Sequence, residues 1–398
     1  MWEQIRANKR KSFVLILVMG CLLVALGYVI GFAAMGRPVG GMAGTAIALI
    51  LWFILCLTAF AGGDNIMLAT AGARRIEKSD MPRLFNVVEE MTIAAGLPNV
   101  PEVYLIESNE LNAFAVGTRK HAAVAVTTGL LSHLNRDELQ GVVAHEIGHI
   151  ANFDTRFMVL AGVMMGAIVL IADLFLRGVF YGRGGSRSRS EGGGQAQAIF
   201  FILAIALAIL APIFARLLYL ACSRKREYLA DATSARLTRY PEGLASALEK
   251  LEQSALGRND VNRVIAPMYT VNPLQARAVS GLFSTHPPTD KRIRILRSMA
   301  GGASYVEYQK AFSQVEGGRQ LIGASALTDQ GAVAARQPSA EAEPLMADRR
   351  REAVDTMRRL QGYRFAQCPC GTRMKIPPVY SESSITCPSC GNTVAVPQ

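Results

Sequence analysis

The chain has 398 residues, of which 51% are hydrophobic, and a mean hydropathy of +0.23; this is too apolar for a simple soluble enzyme and long enough for two or three domains. A net charge of +11 suits contact with an anionic membrane surface. Of seven cysteines, four are paired at the C-terminus as Cys368, Cys370, Cys387 and Cys390, a spacing that suggests metal rather than disulfide and hence a reducing compartment.

Residues 1–12 carry Arg6, Lys9, Arg10 and Lys11, and residues 13–35 then run without a charge, long enough to cross a hydrocarbon core. The run is too long for the apolar region of a signal peptide, and a second uncharged span, 42–61, follows after a tight glycine-rich loop. Residues 1–62 are therefore predicted to form a transmembrane hairpin. The positive-inside rule keeps the basic N-terminus in the cytoplasm and returns the chain there after the second helix.

Residues 63–156 read as the first part of a globular domain. Helical periodicity over 82–95 ends at Gly96-Leu97-Pro98, and short β-rich runs follow at 102–106 and 122–127. Between them Asn112, Ala113, Phe114 and Ala115 open a run of small residues that either lines a substrate cleft, by letting another backbone approach, or forms an ordinary buried strand. His121 and His133 have no motif around them and read as structural or exposed.

A helix is then expected from Asn135, which can cap it together with Glu138 three positions on. It contains His145-Glu146-Ile147-Gly148-His149, an HExxH run. Two histidines four residues apart share one helix face and can reach a single Zn²⁺, with Glu146 beside them to act as general base. That is the active-site pattern of a zinc peptidase.

Residues 157–220 hold two further apolar runs, 157–180 and 198–215, separated by a Gly/Ser/Arg-rich loop. Asp173 and Arg177 interrupt the first and Pro212 the second, so this hairpin either crosses the membrane or dips into it. Residues 221–300 complete the globular domain. There Glu227 and Asp231 lie i, i+4 on one helix face, so that Glu227 can supply the third metal ligand and Asp231 can orient a ligand histidine. For the oxyanion, His286 and Tyr228 are the two candidates, and an ordinary helix-entry role for His286 is equally open.

Residues 301–362 read as a linker, clearest over 328–344, followed by a charged helix over 345–360. Residues 363–398 carry Cys368-Pro369-Cys370-Gly371 and Cys387-Pro388-Ser389-Cys390-Gly391, two knuckles of a zinc ribbon whose metal substitutes for a core too small to build. The first knuckle is CxC where CxxC is usual. Arg364, Arg373 and Lys375 are too few to point to nucleic acid, and the ribbon's partner stays open.

HEIGH at 145–149, NAFAVG at 112–117, SRKREYLAD at 223–231 and STHPPTDKR at 284–292 together resemble the HtpX-type membrane zinc endopeptidases, relatives of the CAAX prenyl proteases. The resemblance covers residues 64–300 and the apolar hairpins but not the ribbon. It implies an α+β fold, a mainly helical, membrane-anchored gluzincin with a small sheet, to which this chain adds its ribbon. It also implies His145, His149 and Glu227 as ligands of a catalytic zinc, distinct from the structural zinc of the ribbon. Glu146 is then the base, and the role is cleavage of damaged membrane proteins at the cytoplasmic face of a bacterial inner membrane. The partners expected are the lipid membrane and polypeptide substrates. Competing readings are a CAAX-type protease of lipidated proteins, which has more membrane helices, and a non-catalytic adaptor acting through the ribbon, which has no need of Glu146.

Overall fold

The computed structural model describes residues 2–181, 194–255, 287–299, 302–327, 333–340 and 343–397. Its first two helices, α1 (Trp2–Met35) and α2 (Pro38–Thr70), form a hairpin closed by glycines. Gly27 and Gly31 face Gly40 and Gly44, and a Cβ at Gly31 would overlap the carbonyl oxygen of Gly40. Small residues four apart let two apolar helices touch along their backbones, where dispersion and not water expulsion holds them.

After β1 (Arg74–Arg75) and α3 (Pro82–Ala95) come β2 (Glu102–Ile106), β3 (Ala113–Gly117) and β4 (Ala122–Thr127). The sheet has the order β1-β2-β4-β3, with β2 and β4 parallel and β3 antiparallel on the outer side of β4. One face of the sheet, through Ala113, Ala115, Val124 and Val126, packs into the main core, whereas Phe114, Val116 and Ala125 on the other meet Leu68 of α2. The short α4 (Thr128–His133) leads to α5 (Arg136–Ala151), which is buried on nearly every side.

Next are α6 (Thr155–Tyr181) and α7 (Gly194–Thr238). Among the described residues, four helices contain segments long and apolar enough to cross a membrane: Phe13–Met35, Pro38–Thr58, Val159–Val179 and Gln197–Leu217. They pack as one bundle, through Met19 and Leu23 of α1, Ala48 of α2, Met164 and Ile168 of α6, and Ala211 and Ala215 of α7. At 45 residues, α7 is one unbroken helix of about 65 Å, so the fourth apolar segment and the Glu227 region share a single rod.

The domain is completed by α8 (Pro241–Ala255), α9 (Thr289–Arg297), α10 (Tyr305–Val315) and the single turn α11 (Ala324–Leu327). Residues 333–340, expected as linker, run extended across this core, where Arg336 donates to Asp137 Oδ1 at 2.6 Å and to Gln140 Oε1 at 2.7 Å, both on the first turns of α5. α12 (Met346–Leu360) then buries Ala353 and Met357 in the main core. Two small hairpins end the described chain: β5 (Arg364–Gln367) with β6 (Arg373–Ile376), and β7 (Ser384–Thr386) with β8 (Thr393–Ala395).

Candidate metal centre and the protease family

Asn135 and Glu138 cap α5 reciprocally, each side chain accepting from the other's backbone N–H at 2.8 Å. The helix so started presents His145 and His149 on one face, their rings at 89° and their Nε2 atoms 3.2 Å apart. Glu227 enters from α7, with carboxylate oxygens 3.6 Å from His145 Nε2 and 3.5 Å from His149 Nε2. This close approach of α7 depends on Gly148, where a Cβ would lie 3.2 Å from the Cβ of Thr233. Three donor atoms, one from each residue, lie within 4.8 Å of one another.

Behind the histidines stand two carboxylates. His145 Nδ1 is 3.0 Å from Asp231 Oδ1, and His149 Nδ1 is 3.5 Å from Asp154 Oδ2. Each carboxylate is fully buried and matched by an arginine. Arg292 of α9 donates to both oxygens of Asp231, at 2.8 and 2.6 Å, and its Nη1 lies 3.5 Å from Glu227. Arg226 Nη1 lies 3.1 Å from Asp154 Oδ1. Burial works against the Asp231 charge, but Arg292 and His145 outweigh it and hold the carboxyl below its ordinary range. Burial likewise opposes charge on His149, yet the carboxylates of Asp154, Glu227 and Glu146 raise its imidazole to about 10.

The donor set fits a divalent cation. A carboxylate at each Nδ1 keeps the proton there, which leaves both Nε2 lone pairs facing one another beside a third carboxylate. Such a buried group is repulsive unless a cation or proton occupies it. Ligand separations of 3.2–3.6 Å match the edge of a tetrahedron with bonds near 2.1 Å, about 3.4 Å, as an N₂O site with one open position requires.

The pattern of peptidase family M48 matches residues 78–300, more than half of the chain. This chain belongs to peptidase family M48. It is 44% identical over 300 residues to the "Protease HtpX homolog" of Dictyoglomus thermophilum, covering 75% of this chain and 94% of that protein. Proteins of the same name in Streptococcus agalactiae and Streptococcus mutans are 41% and 43% identical, over 75% of this chain and 100% of theirs. The chain is thus a membrane-anchored metalloprotease of HtpX type, and the quarter of it outside these alignments is additional to those relatives.

Within this HtpX-type protease the residues singled out above are distributed as follows. His145, His149 and Glu227 converge, with Asp231 directly behind His145. Glu146 is buried in the same helix and acts electrostatically on His149. Tyr228 packs its ring edge-on against Phe312 of α10, centroids 5.0 Å apart. Ala113 to Ala115 open the outer strand β3, and Asn112 directly precedes it. His286 lies outside the described residues. His133 bonds the carbonyl of Gly129 one turn back, and His121 is exposed at the β3–β4 turn.

Sequence reasoning missed Asp154, Arg226 and Arg292. Asp154 reaches His149 because Phe153, with φ +61°, turns the chain back at the end of α5, and its backbone N–H bonds the His149 carbonyl at 2.9 Å. No local pattern announces a left-handed phenylalanine. Arg292 stands inside the quoted STHPPTDKR stretch, and the missing signal was the need of a buried Asp231 for a counter-charge.

The four C-terminal cysteines also converge, with Cys368 Sγ 3.4 Å from Cys390 Sγ and Cys370 Sγ 3.7 Å from Cys387 Sγ, near the edge of a tetrathiolate site of about 3.8 Å. The short first knuckle keeps the bonds of the second. Gly371 and Gly391, both left-handed, donate to the carbonyls of Cys368 and Cys387, and those two residues donate onward to Thr372 and Asn392. Hydrogen bonds with Thr372 lower the proton affinity of the Cys370 thiol, whereas those of Cys368 and Cys390 beside it are raised.

Proposed function

We propose that this protease is zinc-dependent and cleaves damaged or misassembled membrane proteins at the cytoplasmic face of the bilayer, with His145, His149 and Glu227 holding the metal and Glu146 handling the proton. The carrying observation is the pair of buried Nε2 atoms, 3.2 Å apart, facing the Glu227 carboxylate with their Nδ1 atoms turned to Asp231 and Asp154. Zinc held there would polarise the scissile carbonyl and activate water. Glu146 takes the proton of the attacking water and delivers it to the leaving amine. Asp231 and Asp154 keep both imidazoles in the tautomer that points Nε2 at the metal.

Substrate is held as an added strand on β3. That strand has β4 on one side only, and because Asn112 O accepts from Thr127 N, the alternation of an antiparallel pair directs the Ala115 N–H and C=O away from β4. Backbone recognition of this kind accepts many sequences, as clearance of damaged proteins requires. A cytoplasmic site is supported by the basic N-terminus and by the even number of apolar segments, which brings α5, the Glu227 turn and the cysteine cluster to one side. The cysteine cluster is a second, structural zinc site in this reading.

The test compares detergent-purified wild type with Glu146→Gln on a loosely folded model substrate, with zinc content measured for both. Cleavage should fall by about 10²–10⁴-fold at unchanged zinc content. Equal cleavage by both would remove Glu146 from the chemistry, and no cleavage by either while zinc is held would favour a non-catalytic role.

A further inference from the structure

Between α7, α9 and α10 lies a cavity of about 720 Å³ that the proposed peptidase chemistry does not use. Its rim carries Arg224 and Lys225 of α7, Lys291 of α9 and Arg319 from the turn after α10, against one carboxylate among the described lining residues, Glu316. That carboxylate is shared, lying 2.7 Å from Lys291 and 3.6 Å from Arg319, and with exposed Lys225 beside them these three cations outnumber it. Below the rim are the rings of Tyr228 and Phe312 and the apolar side chain of Leu321. A cationic rim over an aromatic floor suits a ligand with a phosphate at one end and hydrocarbon at the other.

The position of the cavity says where such a ligand comes from. The apolar segment of α7 ends at Leu217, and the helix continues unbroken to Arg224 seven residues on, about 10 Å along the axis. The headgroup layer of a leaflet is about 5–8 Å deep, and arginine and lysine side chains extend back toward it. We propose that this cavity binds the phosphate headgroup of an anionic phospholipid of the surrounding leaflet. Lys291 adjoins Arg292, whose guanidinium holds Asp231 behind His145, so an occupied cavity braces the helix that supports the metal centre. The proposal rests on membrane anchoring through α7 and not on the assignment of Glu146.

Native mass spectrometry of the full-length, zinc-loaded protein, released from detergent after incubation with phosphatidylglycerol and phosphatidylcholine of equal chain length, reads the site directly. Lys225→Glu with Arg319→Glu reverses two exposed rim charges, and Arg350→Glu with Arg351→Glu makes the same change of net charge on exposed positions of α12. Wild type and the α12 variant should retain phosphatidylglycerol over phosphatidylcholine by about tenfold or more, the scale expected for two cations near an anionic headgroup, and the rim variant should lose that preference. Equal retention by the rim variant overturns the proposal. Complete displacement by inorganic phosphate would reassign the cavity to a soluble phosphate compound, and displacement by polyglutamate to an acidic polypeptide; either result also overturns it. Lipid retention is read without proteolysis, so its failure and that of the peptidase assignment are distinguishable.

Discussion

Behind His145 and His149 the same motif occurs twice, a buried carboxylate that faces Nδ1 and is neutralised by a buried arginine, Arg292 in one case and Arg226 in the other. Asp154→Asn keeps the shape of its side chain but withdraws the charge that orients His149. It should weaken zinc binding about 10–100-fold, measured by competition with a chromogenic chelator, and excess zinc should restore cleavage. The raised proton affinity of His149 makes a second prediction. Its unfolded value is near 6.5 and its folded, metal-free value about 10, so the stabilisation is fully present below pH 6.5 and is lost as pH rises through 10. Chelated protein should therefore lose thermal stability between pH 7 and pH 10, whereas zinc-loaded protein, in which metal replaces the proton, should not show that loss. At this scale HExxH and the pair Glu227 and Asp231 were legible because each is set by helical spacing alone. Asp154 depends on one left-handed residue, and Arg292 arrives from 61 positions away.

Helix α5 is the element on which the site depends, and two of its glycines let α8 and α7 pack closely against it. A Cβ at Gly141 would sit 2.7 Å from the backbone nitrogen of Leu244 on α8, whereas one at Gly148 would meet the side chain of Thr233 at 3.2 Å and the carbonyl oxygen of Ala230 only at 3.5 Å. Gly141→Ala should thus destabilise the domain by about 1–3 kcal/mol, the usual cost of overpacking, and Gly148→Ala by less, both read from chemical denaturation of the detergent-solubilised protein. The sequence marks the start of α5 through its capping box, and the structure realises that box with both bonds present. The continuity of α7 was not legible. The apolar run 198–215 and the helix carrying Glu227 read as parts of two regions, 157–220 and 221–300, with Pro212 interrupting the first. Pro212 is nonetheless tolerated inside an apolar helix whose neighbours pack around it, and the basic residues continue the same rod beyond its apolar segment.

In the whole molecule, the part beyond the family match is bound to α5. Arg336 joins Asp137, Gln140 and the Thr238 carbonyl, the Ser339 N–H donates to Asp137 Oδ2 at 2.8 Å, and Glu343 accepts from the backbone N–H of Arg136 at the very start of α5. The ribbon is tied to the same body through Asp355 of α12, which lies 2.8 Å from Arg373 and 3.1 Å from Lys375. Arg336→Ala should cost about 2–3 kcal/mol, since it leaves a partly buried carboxylate without its strongest donor, and differential scanning should show α5 and the C-terminal region unfolding at a lower temperature. Composition over 328–344 reads as linker because such arguments register the absence of periodicity and not the bonds an extended segment makes to a distant surface.

The sequence by itself determined the features that reside in local spacing: the HExxH helix with its cap, the glutamate and aspartate one turn apart, four apolar segments and two cysteine knuckles. Each needs only the pitch of a helix, the thickness of a bilayer or the reach of a thiolate, all known before any fold. Tertiary structure decided that β3 is the outer strand of the sheet, that Arg292 and Arg226 reach the carboxylates behind the histidines, and that the C-terminal strap grips the first turn of α5. These depend on contacts between segments tens to hundreds of residues apart, and a buried charge takes its partner from whatever the packing brings near.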